Sequence, residues 1–245
     1  MAGATKTCRG IILTSREHKD KDRILKFLTR DEGLIDIYVK GSGKLNSHSA
    51  FTSVPYMLCD LTYTVSGNYN FLKSGAIVES NSRLMTDFDL MTAAAHCADV
   101  LLDMSGQSDN SVEAYEIAAY TFFYLAKDPE KRQLYLSAFN WRVLSVLGFT
   151  VEYKLTSDTA LEVNDKGIYY LSTTGGDLYS GRKTGGEYRM LSGKAVLALN
   201  HIACCDLKDL YAISAGDNLS EALFDFTVSY LSNQLEKDYL GRFLL

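Results

Sequence analysis

Three groups of residues in this chain have the types and spacing that chemistry requires, and each points to a different kind of site. The first is "GSGK", Gly41 to Lys44, which follows the alternating run "LIDIYVK". A phosphate-cradling loop needs GxxxxGK followed by Ser or Thr, because the loop amides hold phosphate while the hydroxyl binds magnesium. Lys44 is followed by Leu45, and the second "SGK", Ser192 to Lys194, is followed by Ala195. The first glycine and the hydroxyl are missing from both, so "GSGK" reads as a turn that leaves Lys40 and Lys44 at the end of a strand. The second group is His201, Cys204 and Cys205, with His96 and Cys97 elsewhere, side chains of the kind that hold zinc. "ALNHIACC" is an apolar run, however, and the adjacent Cys204 and Cys205 face different directions on a helix, so these read as core residues and no metal is expected. The third group interleaves cations with aromatics: Arg16, Lys19, Lys21 and Arg23 in "SREHKDKDR", and Lys40 and Lys44 just after Tyr38. Positive charge along a groove and aromatic faces for bases are what a single-strand binder uses. Tyr38, Phe51 and Tyr69 are the candidate stacking residues.

Catalysis finds little support. There is no GxSxG, no HExxH and no reactive-cysteine pattern, and none of the four histidines sits beside an obvious carboxylate. No catalytic residue and no cofactor are expected. The five cysteines are scattered, odd in number and never spaced CxxC, which argues against a disulfide framework and against a zinc ribbon.

A net charge of −5 is unusual for a protein that meets a polyanion, until it is divided along the chain. Residues 1–83 hold 12 Lys/Arg against 8 Asp/Glu, a balance of +4, which leaves −9 for the rest. That asymmetry suggests a basic N-terminal module joined to an acidic one. No run approaches the roughly 18 apolar residues of a membrane span, and "MAGATKTCRG" has no apolar core of a secretory signal. A cytoplasmic, nucleoid-associated protein with no membrane partner is expected.

The elements that must position these residues fall into two kinds. Up to Arg83 the pattern has period 2. "LIDIYVKG" places Ile35, Ile37 and Val39 on one face and Asp36, Tyr38 and Lys40 on the other. "PYMLCDLTYTV" groups Met57, Cys59, Leu61, Tyr63 and Val65, and "SGN" then turns the chain into "YNFLKSGAIVES". With "CRGIILTS" and the apolar segment in "DKDRILKFLTRDEG", about five short strands fit an OB-fold barrel. After Arg83 the period becomes 3.6. Helices are predicted in "FDLMTAAAHCADVLLDM", from the Asn110/Glu113 capping pair through "AYEIAAYTFFYLA", and after Asp128–Pro129 up to a glycine cap at Gly148. Residues 150–191 read as an inserted hairpin, and helix resumes at Ser192. Asn218 and Glu221 suggest a further capping pair, ahead of a face of Leu219, Leu223, Phe226, Tyr230 and Leu235. The expected fold class is α+β and multidomain: an N-terminal OB-fold β-barrel over 1–83, then an α-helical domain over 84–245 with a small β-hairpin insertion.

"GIILTSREHKDKDRILKFLTRDEGLIDIYVKGSGK" resembles the N-terminal signature of the RecO family of recombination-mediator proteins. The matching steps are Asp22, Arg23 and Ile24; Phe27, Thr29 and Arg30; Gly33; and Lys40 with Gly41. "FNWRVLSVLGF" and "YLSNQLEKDYLGRFLL" are similar to the family's middle and C-terminal segments. The resemblance implies a non-enzymatic DNA repair protein that binds single- and double-stranded DNA and anneals complementary strands. It also implies partners: RecR, the C-terminal tail of single-strand-binding protein, and RecA indirectly. By position it assigns DNA backbone contact to Lys40 and Lys44, with Arg16, Lys19, Lys21 and Arg23 as further candidates, and the tail carboxylate to Arg142 or Arg132. Many relatives carry two CxxC pairs for zinc in the insertion; residues 150–191 hold no cysteine, so apolar contacts of Ile168, Tyr170 and Leu178 are expected to replace the metal. The competing reading is a protein-interaction adaptor whose helical domain binds partners and whose barrel touches DNA only weakly.

Overall fold

A single 14-residue strand, β1 (Thr5–His18), serves two neighbours in turn. Its first half, Thr5 to Ile11, pairs with β4 (Leu58–Ser66), and from Gly10 onward it pairs with β2 (Asp22–Thr29). With β3 (Gly33–Val39) and β5 (Tyr69–Glu79) these strands form a closed barrel in the order β1-β2-β3-β5-β4, which is the OB-fold arrangement. The computed structural model describes residues 4–18, 22–41, 53–105, 111–149, 163–173, 176–184 and 187–243, with the side chain of Arg242 excepted. The apolar segment after "DKD" is a full strand, β2, that closes against both β1 and β3.

The barrel core consists of the residues that alternation placed together. Ile37 and Val39 from β3 and Cys59, Leu61 and Tyr63 from β4 meet Ile12, Leu25, Phe27 and Met57, all buried, with Ile35 and Val65 partly so. At Ile12 a bulge breaks the register between β1 and β2. Ile11, Ile12 and Leu13 are all buried because both sides of β1 are covered here. Ile12 faces the barrel, and the outer side of β1 is covered by α1 (Phe88–Ser105) and α2 (Ser111–Lys127), which also packs on β2 and β3. Barrel and both helices therefore form one compact unit, Met1–Pro129. Asn110 lies outside the described residues, so its capping role does too.

The second unit, Glu130–Leu245, opens with a single 3₁₀ turn at Pro129–Lys131 that leads into α3 (Arg132–Val146). Gly148, at φ +82°, ends α3 in the way its sequence suggested. Its N–H donates to the Ser145 carbonyl and the Phe149 N–H to the Leu144 carbonyl, a left-handed cap that favours glycine. Trp141 packs against Phe226 and Tyr230 of α6 (Asp217–Gln234), with ring centroids 5.8 and 5.6 Å away. Leu223, Phe226 and Tyr230 are buried as expected, but α6 begins at Asp217 with Gly216 as its cap. Asn218 thus sits inside the first turn, and the predicted capping pair with Glu221 does not form.

Between α3 and α6 the chain makes a three-stranded antiparallel sheet with β6 (Ile168–Ser172) at its centre, flanked by β7 (Leu178–Tyr179) and β8 (Tyr188–Ser192). The inward side is Tyr169, Leu171, Leu178 and Leu191, all buried. Ile168 is 60% exposed, so the phase is one residue off the expected contacts of Ile168 and Tyr170, and only Leu178 of the expected three is buried. Ser192 then caps α4 (Gly193–Cys204), its hydroxyl accepting the Ala195 N–H at 3.2 Å. A short helix, α5 (Leu207–Leu210), precedes α6. Among the described residues no helix is long and apolar enough to cross a membrane.

Arg142, on α3, donates to the Ala203 carbonyl at 2.6 Å and also to the Cys205 carbonyl, placing a cation at the C-terminal end of α4 where the helix dipole favours one. Replacing Arg142 with Gln is expected to destabilise this unit by about 2 kcal/mol, the scale of a charged hydrogen-bond pair, read as a lower urea midpoint. Burial pushes the Cys59 thiol up from its ordinary value of 9.0 to about 12. The unfolded thiol ionises first, so its contribution to stability is complete below 9.0 and declines as pH rises towards about 12. Thermal melts across that interval are expected to fall less steeply for Cys59→Ala than for the native chain.

Candidate nucleic-acid interface

The outer face of the barrel carries a row of side chains that register alone brings together. Arg16 on β1 lies opposite Ile24 on β2, Ile24 opposite Tyr38 on β3, and Tyr38 opposite Phe71 on β5. Directly opposed residues share a face, so Arg16, Ile24, Tyr38 and Phe71 cross four strands in one line. β3 and β5 meet as the barrel's parallel pair, and their contact is what seats Tyr38 beside Phe71.

Tyr38 is the centre of an aromatic cluster. Its ring lies 5.2 Å from Tyr69 and 6.1 Å from His18, both edge-on, and 5.8 Å from Phe71. Tyr69 is 52% exposed, and the Lys40 ammonium sits 4.6 Å above the Phe71 ring. The cluster thus offers π faces edged by cations, the combination that accepts stacked bases and their phosphates. Phe71 and His18 were not among the stacking candidates; the signal for Phe71 was its place two residues after Tyr69 on the same strand face.

The polar residues of "DKDRILKFLTRDEG" hold the backbone beneath this cluster. The Asp22 carboxylate accepts the Gly41 N–H at 2.9 Å, fixing the end of β3 against the start of β2. Gly41 has φ +65°, a conformation that glycine adopts without the steric cost of a side chain. The Thr29 hydroxyl donates to the Gly33 carbonyl and accepts the Glu32 N–H, closing the β2–β3 turn. Arg23 donates from Nε to the Ser15 hydroxyl at 2.9 Å and from a terminal nitrogen to the Ser15 carbonyl at 3.4 Å, which ties it to β1.

Ion pairing sorts the barrel's cations into two sets. Lys6 pairs with Glu32, Arg9 with Asp60 through two hydrogen bonds, Lys26 with Asp36 and Arg30 with Glu116. The Arg9 guanidinium beside it holds the Asp60 carboxyl below its ordinary range. Among the described residues no carboxylate is ion-paired to Arg16, Lys40 or Lys73, and all three are exposed. Positive charge not cancelled by a neighbour is therefore concentrated around the aromatic row. Lys19, Lys21, Lys44 and Phe51 lie outside the described residues. Arg132 and Arg142 belong to the second unit, where Arg142 binds the α4 carbonyls described above. No group of three or more His, Cys, Asp or Glu side chains is placed to hold a metal among the described residues; Cys97 is buried and Cys204 exposed.

The family model described as "Recombination protein O N terminal" matches residues 1–81, and that described as "Recombination protein O C terminal" matches residues 85–242. The chain belongs to the RecO family. Among its curated relatives is the DNA repair protein RecO of Clostridium acetobutylicum, 18% identical over 94% of this chain and 92% of that one. The protein of the same name from Acetivibrio thermocellus is 21% identical, again over 94% and 92%. That of Syntrophobacter fumaroxidans reaches 26% over 59% of this chain and 58% of its own. The RecO-family barrel and the second unit are thus both covered by the match, including the insertion that here carries no cysteine.

Gly41→Val forces a β-branched residue into the left-handed region and is expected to cost about 1–2 kcal/mol. Urea denaturation followed by tryptophan-independent far-UV signal checks it, and Gly41→Asn, which tolerates that conformation, is expected to recover most of the loss.

Proposed function

We propose that this RecO-family chain is a non-enzymatic mediator of DNA repair and homologous recombination that binds single- and double-stranded DNA. In this reading it anneals complementary strands and, with RecR, helps load RecA onto DNA coated with single-strand-binding protein. The observation that carries the proposal is the barrel row: Tyr38, Tyr69 and Phe71 clustered between Arg16 and Lys40, neither of which is ion-paired to an acid among the described residues. Lys44, Lys19 and Lys21 are assigned to DNA contact by the resemblance to the family and not by structure, and Arg23 supports the row from β2. Such a surface attracts phosphate, offers stacking that does not depend on base identity, and reads no base edges. Annealing asks for little more, since neutralising two polyanions and holding them close removes most of the barrier of repulsion without a chemical step. Contact with the acidic tail of single-strand-binding protein is assigned to Arg142 or Arg132 in the second unit, since a guanidinium matches a terminal carboxylate. Arg142 already donates to the Ala203 and Cys205 carbonyls, which favours Arg132.

The test is fluorescence anisotropy of a labelled single-stranded oligonucleotide over a salt series, for the native chain and for Lys40→Glu/Lys44→Glu. Three to five phosphate contacts give a log–log slope of about −2 to −3.5 for single strands, and the double variant is expected to flatten it. Weak binding that is indifferent to salt would instead favour the adaptor reading, in which the helical unit does the binding.

A further inference from the structure

Among the described residues, the sheet of the second unit has an outward face whose side chains are mostly exposed or half-buried. Register places Tyr170 opposite both Tyr179 and Met190, and Ser172 opposite Tyr188, so these residues and Ile168 share one side of β6–β8. Met190 is 65% exposed and Ile168 60%, and Tyr170, Tyr179 and Tyr188 are half-buried. The Tyr179 and Tyr188 rings lie edge to face, 5.7 Å apart, over Ser172, which is buried. The Lys183 ammonium sits 4.2 Å above the Tyr179 ring, and its neighbour Arg182 is exposed. The other face is fixed: Tyr169, Leu171, Leu178 and Leu191 are buried, and Gln234 of α6 donates to the Thr173 carbonyl at 2.9 Å. The exposed side is therefore a rigid aromatic and apolar platform.

Charge says what kind of partner it fits. Over residues 163–194 there are 5 Lys/Arg (Lys166, Arg182, Lys183, Arg189, Lys194) and 3 Asp/Glu (Asp165, Asp177, Glu187), a balance of +2. The remainder of Glu130–Leu245 is −4, with 7 Lys/Arg against 11 Asp/Glu. Register puts Arg189 on the other side, opposite Leu171, so the cations beside the outward face are Lys183, over Tyr179, and the exposed Arg182. Tyrosine rings edged by cations repeat the combination found on the barrel, where Lys40 covers Phe71 beside Tyr38 and Tyr69. The Asp177 carboxylate accepts from the Tyr179 hydroxyl at 3.5 Å, at the edge of the ring rather than over its face.

We propose that the outward face of the β6–β8 sheet, centred on Tyr170, Tyr179 and Met190 and edged by Lys183, is a second binding surface for single-stranded nucleic acid. This rests on the mediator reading of the barrel and extends it: one surface holds one strand, and a protein that pairs two strands gains from a second surface on the same chain. The sheet then takes one strand by stacking while the barrel row takes the other, and carrying both on one chain raises the effective concentration of each strand for its complement.

The experiment uses the full chain and an oligothymidylate bearing 5-iodouracil, cross-linked by light and followed by peptide mapping. Adducts are expected in two places, on peptides carrying Tyr38 or Tyr69 and on peptides carrying Tyr170, Tyr179 or Tyr188. Tyr170→Ala/Lys183→Glu, altered only at side chains on the outward face or its edge, is expected to slow annealing about tenfold, the lower part of the range for losing a stacked base, while single-strand affinity falls by less than about threefold because the barrel still binds. Adducts confined to the barrel peptides, with annealing unchanged in the variant, overturn the second surface and leave the barrel reading standing. Annealing unchanged together with loss of self-association in the variant assigns the face to a second copy of the chain and likewise overturns it. Absence of adducts and of any binding at low salt removes both.

Discussion

Closure of the barrel through β1 is the constraint on which the rest of the first unit depends. One strand must satisfy the hydrogen bonds of β4 with its first half and of β2 with its second, because an open edge would leave unpaired backbone groups. A strand that crosses between partners has to coil, and the bulge at Ile12 supplies the extra turn. Beside the bulge, Ile12 enters the core while Ile11 and Leu13, also buried, give the barrel an apolar outer wall. That outer wall is why α1 and α2 join the barrel in one compact unit.

Closure also determines where charge is left over. Lys6, Arg9, Lys26 and Arg30 each find a carboxylate on a neighbouring strand, in the β2–β3 turn or on α2, in pairs that are exposed and individually worth little to stability. Their consequence is electrostatic: they neutralise those parts of the barrel surface, and among the described residues Arg16, Lys40 and Lys73 remain without an ion pair. A count of lysines and arginines over the first 83 residues cannot make this distinction, since it weighs a paired and an unpaired cation equally.

The second unit solves a different problem. With no cysteine between residues 150 and 191, its small sheet relies on a buried side of Tyr169, Leu171, Leu178 and Leu191. Three short strands with one apolar face are enough when that face lies against helices rather than water. The inward and outward sides are set by this packing. A strand read in isolation as "IYYLS" has apolar residues at every position but the last, so its alternation carries no phase, and the expectation that Ile168 and Tyr170 point inward was off by one residue for that reason.

What the sequence determined by itself is what depends on near neighbours. Alternation identified Ile37 and Val39, and Cys59, Leu61 and Tyr63, as inward-facing; the change of period after Arg83 marked where strands give way to helices; Gly148 ended α3 as its position implied. The signature residues Asp22, Thr29 and Gly33 were legible as a pattern, although their work, closing turns and fastening Gly41, became visible only in the fold. The tertiary structure alone decided that Arg16, Ile24, Tyr38 and Phe71 stand in one row, that His18 and Phe71 join Tyr38, and that α6 starts one residue ahead of its expected cap. The physical reason is that periodicity is local, whereas register is not: which residue stands beside Tyr38 is settled by how the whole barrel closes, from residue 16 to residue 71.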